Sequence, residues 1–312
     1  MNHKNAIIES QQRISKYIHK TPVLTSQGIN TICEATLFFK CENFQKMGAF
    51  KMRGATNAIL QLTEEQRSRG VVTHSSGNFA QALALAAKSL GVTAYIVMPE
   101  NAPQVKKDAV LGYGGKITEC ASTIEAREIA SAKMVKEIGA TFVHPSNDMD
   151  VIYGNATACL ELLQEQPDLE MVIAPVGGGG LLAGTALTTH YFGNNGLAIG
   201  GEPSAVNDAF RSLQSGKIET NLHTNTIADG LRTHLGDLNF PILKKYVHEI
   251  ICVEEQAILE AMQLIYQRLK IVVEPSSAVA LAVVLNNKES FKNKHIGILL
   301  SGGNVDLQKL PF

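Results

Sequence analysis

Four short stretches of this 312-residue chain carry residue types that can do chemistry. In "NFQKMGAFKMRGATNAIL", Lys51 stands between Phe50 and Met52. An amine held in an apolar, water-poor place has a lowered pKa and becomes nucleophilic toward carbonyls. The plain alternative is a surface lysine opening an amphipathic helix. In "PVGGGGLLAG", Gly177, Gly178, Gly179 and Gly180 follow a predicted strand. Glycines there let backbone N–H groups approach an anion, and the next helix adds its positive end, which favours phosphate. The same stretch fits a dinucleotide fingerprint, with Gly178, Gly180 and Ala183 in G-x-G-x-x-A and Glu202 ending the next strand about 20 residues on. A tight turn with close helix packing also explains it. No G-K-[ST] follows, which argues against a Walker loop.

In "HSSGNFAQA", the hydroxyls of Ser75 and Ser76, a glycine and the Asn78 amide gather at a helix start. That set suits a carboxylate or another anion. Simple N-capping by Ser76 or Asn78 reads equally well. In "LSGGNVD", Ser301 sits at the carboxyl end of the apolar strand "IGIL", where a plain turn would serve too. All four stretches lie where a strand ends, and ligands of open α/β sheets collect at the carboxyl ends of strands.

The elements that must position these residues alternate. "IIESQQRISKYIH" has helical spacing and stops at Thr21-Pro22; "ATLFFKCE" is a strand, "FKMRGATNAILQL" a helix and "TEEQRSRG" a charged connector. Then come the strand "GVVTH", the helix "FAQALALAAKSLG", the strand "VTAYIVMP", the helix "APQVKKDAVLGYG", the strand "KITEC", the helix "TIEAREIASAKMVKEIG" and the strand "ATFVHP". Later follow the strand "EMVIAPV", the helix "LLAGTALTTHYF", the strand "LAIGGEP", the apolar segments "IICVEEQAILEAMQLIYQRL" and "SSAVALAVVLNN", and the strand "HIGILLSGG". Such alternation predicts an α/β fold of mostly parallel sheets flanked by helices.

Composition narrows the function. Hydrophobic residues at 45% and charged residues at 18% give a globular balance. Lys plus Arg is 28 against 29 for Asp plus Glu, so no electrostatic footprint for nucleic acid or an anionic membrane is expected. Five cysteines, an odd number without a C-x-x-C pair, suggest a reducing compartment. No H-x-x-x-H spacing points to zinc. The N-terminus lacks a signal-peptide core, and the charge-free run from Met171 to Gly201 is broken by Pro175, the glycines and "FGNNG", so it reads as buried core and not as a span. A cytoplasmic location is expected.

Together, "GAFKMRGA", "SSGNFAQA", "PVGGGGLLAG" and "LSGGN" occur in the order and spacing of the fold-type II pyridoxal-phosphate enzymes. The chain most resembles their serine racemase and serine/threonine dehydratase branch. "GEPS", "TIADGL" and "VVEPSSAVALA" extend the resemblance from "KTPVL" to "GGNVD". It implies a fold like that of the tryptophan synthase β-subunit, with two open, mostly parallel twisted sheets. Residues 1–64 and 148–312 would form a large cofactor-binding domain and residues 65–147 a small one that closes over substrate. The C-terminal regulatory domain of biosynthetic threonine dehydratases is expected to be absent.

The resemblance further implies roles. Lys51 would hold pyridoxal 5'-phosphate covalently, Phe50 would pack on its ring, and Gly177, Gly178, Gly179 and Gly180 would cradle its phosphate. Asn78 would bond its phenolic oxygen, and Ser301 would face its pyridine nitrogen. Ser75, Ser76 and Asn78 would bind the substrate carboxylate. Lys51, freed by the substrate amine, would remove the α-proton; loss of the β-hydroxyl then yields a 2-oxo acid and ammonia. Ser76 matches the serine that exchanges a proton on the opposite face in the racemases. Arg127 aligns with an arginine that reaches the substrate, which would admit 3-hydroxyaspartate; otherwise it is a solvated helix charge. Glu202, Asp208 and the Val206 carbonyl resemble a loop for Mg2+ or Ca2+, with Asn207 replacing an acidic residue. Phe79 departs from the family's histidine, so a polar role there is lost and a bulkier or more apolar substrate is implied. A homodimer is the family habit. A β-replacement enzyme of the cysteine-synthase kind, and a non-catalytic sensor that binds the cofactor, are the alternatives.

Overall fold

The computed structural model describes residues 2–312. Ten strands are present among them: β1 (Val23–Leu24), β2 (Thr36–Cys41), β3 (Val71–His74), β4 (Ala94–Pro99), β5 (Lys116–Cys120), β6 (Thr141–Phe142), β7 (Met171–Pro175), β8 (Leu197–Pro203), β9 (Val247–Val253) and β10 (His295–Leu300). They form two sheets. One has six strands in the order β1-β2-β10-β7-β8-β9, and the other four in the order β5-β4-β3-β6. Every pairing is parallel except β1 with β2. Parallel pairing needs crossover helices, which cover both sheet faces. The central strands β7, β8 and β10 are accordingly buried along nearly their whole length.

Two helices of the large sheet, Gly180–Phe192 and Pro275–Asn286, are apolar on every side and buried through most of their length. A helix without a polar face is stable only inside protein. These two therefore sit as inner helices, and each begins at the carboxyl end of the sheet. The Lys51–Gln61 helix is held against the Met149–Glu165 helix by a contact that only glycine permits. A Cβ on Gly54 would lie 2.6 Å from Asn155 Oδ1 and 2.8 Å from the Val151 carbonyl, and one on Gly154 would lie 2.6 Å from the Arg53 carbonyl. Beneath this contact lies a buried ion quartet. Arg53 bonds both oxygens of Glu42 and both of Glu161, and Lys40 Nζ donates to Glu161 at 2.7 Å. Two positive and two negative charges cancel out of reach of water.

The structure differs from the sequence reading at several places. The charged connector is a helix, Glu64–Arg69, closed by a capping box between Thr63 and Gln66. The Met149–Glu165 helix has no counterpart among the elements read from sequence, although Asp148 caps it. "ATFVHP" pairs over only two residues. "IICVEEQAILEAMQLIYQRL" divides into β9 and the Glu255–Arg268 helix. Among the described residues, no helix is long and apolar enough to cross a membrane.

Candidate active site

Lys51 is the first residue of its helix, with Phe50 at the cap position. The chain enters that helix from β2 through two short 3-10 turns, in which Met47 and Gly48 adopt positive φ. The Lys51 amine donates a 2.7 Å hydrogen bond to the Pro145 carbonyl. It lies 5.0 Å from the Phe50 ring centroid and 5.6 Å from that of Phe79. Burial pushes its pKa down to about 8, while the charge of Glu274 pulls weakly the other way. Roughly a tenth of such amines are neutral at pH 7, against well under a thousandth for a free lysine. Phe79, where the family pattern has histidine, is 2% exposed and belongs to the apolar floor beneath this amine.

The glycine run joins β7 to the Gly180–Phe192 helix, whose first N–H groups have no partner within the helix. Each glycine is close-packed on its side-chain side. A Cβ would lie 2.7 Å from Leu231 Cα at Gly177, 2.5 Å from Ser146 Oγ at Gly178, 2.7 Å from Leu235 Cδ2 at Gly179 and 2.9 Å from Ser146 Cα at Gly180. Gly179 also takes φ 81°. Asn239 Nδ2 pins the loop by donating to the carbonyls of Gly178 (2.8 Å) and Ser146 (3.1 Å).

The serine loop follows β3. The helix after it runs Asn78–Ser89 and is capped by Gly77 with no side-chain hydrogen bond. Neither Ser76 nor Asn78 is therefore the N-cap. Ser75 Oγ instead accepts from Gly77 N at 3.3 Å, and the side-chain position of Gly77 faces open space, with no atom within 4 Å. Asn78 Nδ2 donates to both oxygens of Glu274, at 2.9 and 3.1 Å, and Asn78 Oδ1 accepts from Asn304 at 2.9 Å. Burial pushes the Glu274 carboxyl up to about 7. Ser301 is buried at the end of β10, with Oγ 3.1 Å from Ser277 Oγ. The Ser301 carbonyl accepts from Phe50 N at 2.9 Å, which ties this strand end to the start of the Lys51 helix.

Residues from both sheets thus meet around Lys51. Sequence reasoning missed Glu274, which stands within "VVEPSSAVALA". A glutamate directly before a proline-initiated helix was the available signal. It also missed His144, a strand-end residue of the kind that the other four stretches used.

The remaining expected site residues lie apart. Arg127 is on the Ile124–Ile138 helix, and among the described residues its Nε bonds only the Thr123 carbonyl, at 3.3 Å. Its charge bears on His74, at the head of the serine loop. The Glu202 carboxylate accepts from Ala209 N (2.9 Å) and Phe210 N (2.8 Å), capping the helix that starts at Asp208. Val206, itself buried, ends a short 3-10 turn. Asp208 Oδ2 is buried without a hydrogen-bond partner, 3.8 Å from His234 Nδ1. Among the described residues no group of three or more His, Cys, Asp or Glu side chains is placed to hold a metal.

Residues 14–302 match the family model described as pyridoxal-phosphate dependent enzyme, and the chain belongs to that family. It is 49% identical to the serine racemase of Dictyostelium discoideum, over 97% of this chain and 95% of that protein. It is 46% identical to the β-hydroxyaspartate dehydratase of Paracoccus denitrificans, over 98% of this chain and 97% of that protein. The solved structure of maize serine racemase superposes with a TM-score of 0.95 at 46% identity, covering 97% of this chain and 94% of that one. The architecture is that of the fold-type II pyridoxal-phosphate enzymes. The residues present fit that cofactor: an amine made nucleophilic by burial, a loop whose glycines alone allow close backbone approach, and a buried neutral hydroxyl at Ser301.

Proposed function

We propose that this enzyme is an ammonia-lyase that dehydrates β-hydroxy amino acids of the serine, threonine and 3-hydroxyaspartate type to a 2-oxo acid and ammonia, with serine racemisation as a second activity. The observation that carries the reading is the Lys51 amine, buried against Phe50 and Phe79 and lowered to about 8. Bound pyridoxal phosphate supplies an electron sink that acidifies the amino acid's Cα–H. The protein does the rest. Lys51 Nζ holds the cofactor and, once released, takes the α-proton. The backbone of Gly177, Gly178, Gly179 and Gly180 receives the phosphate, Phe50 packs on the ring, and Asn78, held by Glu274, orients the phenolic oxygen. Ser301 offers the pyridine nitrogen a neutral hydroxyl, which limits the electron sink and favours prompt elimination.

Ser75, Ser76 and Asn78 hold the substrate carboxylate beside the open space at Gly77. Ser76 Oγ, which makes no hydrogen bond to the protein among the described residues, exchanges a proton on the face opposite Lys51. Arg127 recognises a second substrate carboxylate; the name of the Paracoccus relative supports this. A divalent cation, Mg2+ or Ca2+, uses Asp208, Glu202 and the Val206 carbonyl, a reading favoured by the unpartnered Asp208 Oδ2. Residues 65–147 act as a small domain that closes on substrate, helped by the 2.7 Å Lys106–Asp229 ion pair. A cytoplasmic homodimer completes the proposal.

The test is spectroscopic, then chemical. The purified protein should carry a visible absorption band that borohydride removes, with the reduced label on Lys51. D- and L-serine, L-threonine and 3-hydroxyaspartate should then be assayed for 2-oxo acid release and inversion. A colourless protein, or a yellow one that releases no 2-oxo acid from any of the four, overturns the reading.

A further inference from the structure

His144 follows β6 and leads into the loop ahead of the Met149–Glu165 helix. Its Nδ1 accepts two backbone hydrogen bonds, from Ser146 N at 3.1 Å and Asn147 N at 2.8 Å. A ring nitrogen that accepts carries no hydrogen, so the proton of the neutral ring stands on Nε2. Nε2 has no partner in the protein among the described residues, and the ring is only half-buried. The tautomer is fixed, and its one donor is left for something else.

The ring stands between the parts of the site. The carbonyl of the next residue, Pro145, receives the Lys51 amine. The residue after that, Ser146, packs against Gly178 and Gly180. On its other side the ring meets His74, which opens the serine loop, at 5.9 Å between centroids. A substrate with its Cα at Lys51 and its carboxylate on the serine loop must place its side chain in this neighbourhood.

We propose that His144 is a further catalytic residue, whose Nε2–H donates a hydrogen bond to the substrate's β-oxygen as the Cβ–O bond breaks. This rests on the dehydratase reading. In the step, Lys51 Nζ takes the α-proton and a double bond forms between Cα and Cβ. The Cβ–O electron pair leaves on oxygen, and the proton held by Lys51 completes the water. His144 keeps its own proton and stabilises the charge that develops on oxygen. Burial first, then the nearby charges of His74 and Lys51, push its pKa down to about 4, against a weaker upward pull from Asp237. It therefore stays a neutral donor throughout the working range. Its proximity to the amine does not make it a base.

The discriminating variant is His144→Asn. Its Oδ1 can accept the same two backbone N–H bonds, as in an Asx turn, but nothing replaces Nε2. The expected loss in kcat is about 100-fold for a β-hydroxy amino acid, the scale of one lost oxyanion donor. With 3-chloroalanine, whose chloride leaves without a proton, the loss should stay within about 3-fold. His144→Gln, which returns an amide donor near Nε2, should recover about 10-fold over His144→Asn. Equal losses on both substrates, or no loss on the β-hydroxy substrate, overturn the role. A wild-type enzyme that eliminates from 3-chloroalanine but from no β-hydroxy amino acid overturns the dehydratase reading beneath it. Should His144→Asn not fold, 15N NMR of the wild-type holoenzyme decides. A ring proton on Nε2 that persists from pH 6 to 8 supports the role; a proton on Nδ1, or titration in that window, overturns it.

Discussion

Asn78 and Glu274 join the two sheets through one amide and one carboxylate, with Asn78 Nδ2 2.9 and 3.1 Å from the two Glu274 oxygens. Asn78 begins the helix after β3, and Glu274 caps the inner helix Pro275–Asn286. Burial raises the Glu274 carboxyl from its ordinary 4.5 to about 7, and its bond from Asn78 offsets only part of that. Between those two values the folded chain holds the extra proton, so this group's contribution to stability falls as pH rises through the interval. Relative to Glu274→Gln, the wild-type apoprotein should lose on the order of 2 kcal/mol between pH 5 and pH 8. Urea midpoints of both proteins at the two pH values check this. A difference independent of pH would count against it.

The Lys51 amine, lowered to about 8 by burial, reacts only when neutral. Capture of pyridoxal phosphate by the apoprotein should therefore speed up with pH and level off above about 8, with roughly a tenfold gain from pH 6.5 to pH 7.5. Stopped-flow absorbance measures the rate. A rise that continues to pH 10 would show an ordinary, solvated lysine. Lys51→Ala should take no borohydride-stable label at any pH.

Two glycines should respond in opposite ways to alanine. At Gly180 the new methyl meets the Ser146 backbone at 2.9 Å, which cannot yield as a flexible side-chain tip would. Gly180→Ala should weaken cofactor affinity at least about 10-fold, or 1.4 kcal/mol, in a fluorescence titration. At Gly77 the methyl meets nothing within 4 Å, so the fold should be indifferent. It would instead enter the space assigned to the substrate carboxylate. Gly77→Ala should raise KM roughly 10-fold at unchanged urea midpoint, and a fall in stability without a KM effect would contradict the assignment.

The ion quartet beneath the Lys51 helix should be intolerant of a single neutralisation. Glu161→Gln leaves Arg53 and Lys40 facing Glu42 alone, with 0% exposure of both cationic side chains. Removing one partner from a buried charge set costs about 3–5 kcal/mol. Chemical denaturation should show that loss, and a change under 1 kcal/mol would mean that water reaches the quartet.

Much of the proposed site was legible in the chain because its residues sit on local motifs. The glycine run, the serine loop and Lys51 each occupy a strand end or a helix start, and hydrophobic periodicity locates those. Glu274 and His144 were harder to read. Each is a single residue in an ordinary segment, and its meaning depends on partners about 200 residues away at Asn78 and about 90 away at Lys51. The Met149–Glu165 helix escaped because its glycine and small residues look like turn chemistry until the Lys51–Gln61 helix packs onto Gly154.

The sequence by itself determined the alternation of strands and helices and offered Lys51, the glycine run and the serine loop as candidates, since local spacing and motif order encode these. Only the tertiary structure decided that the Lys51 amine is dry, that Glu202 caps a helix, that Gly77 and not a serine caps the Asn78–Ser89 helix, and which hydrogen the His144 ring carries. Burial and hydrogen-bond partnership are properties of what surrounds an atom. Here those surroundings are assembled from two sheets whose strands lie far apart along the chain.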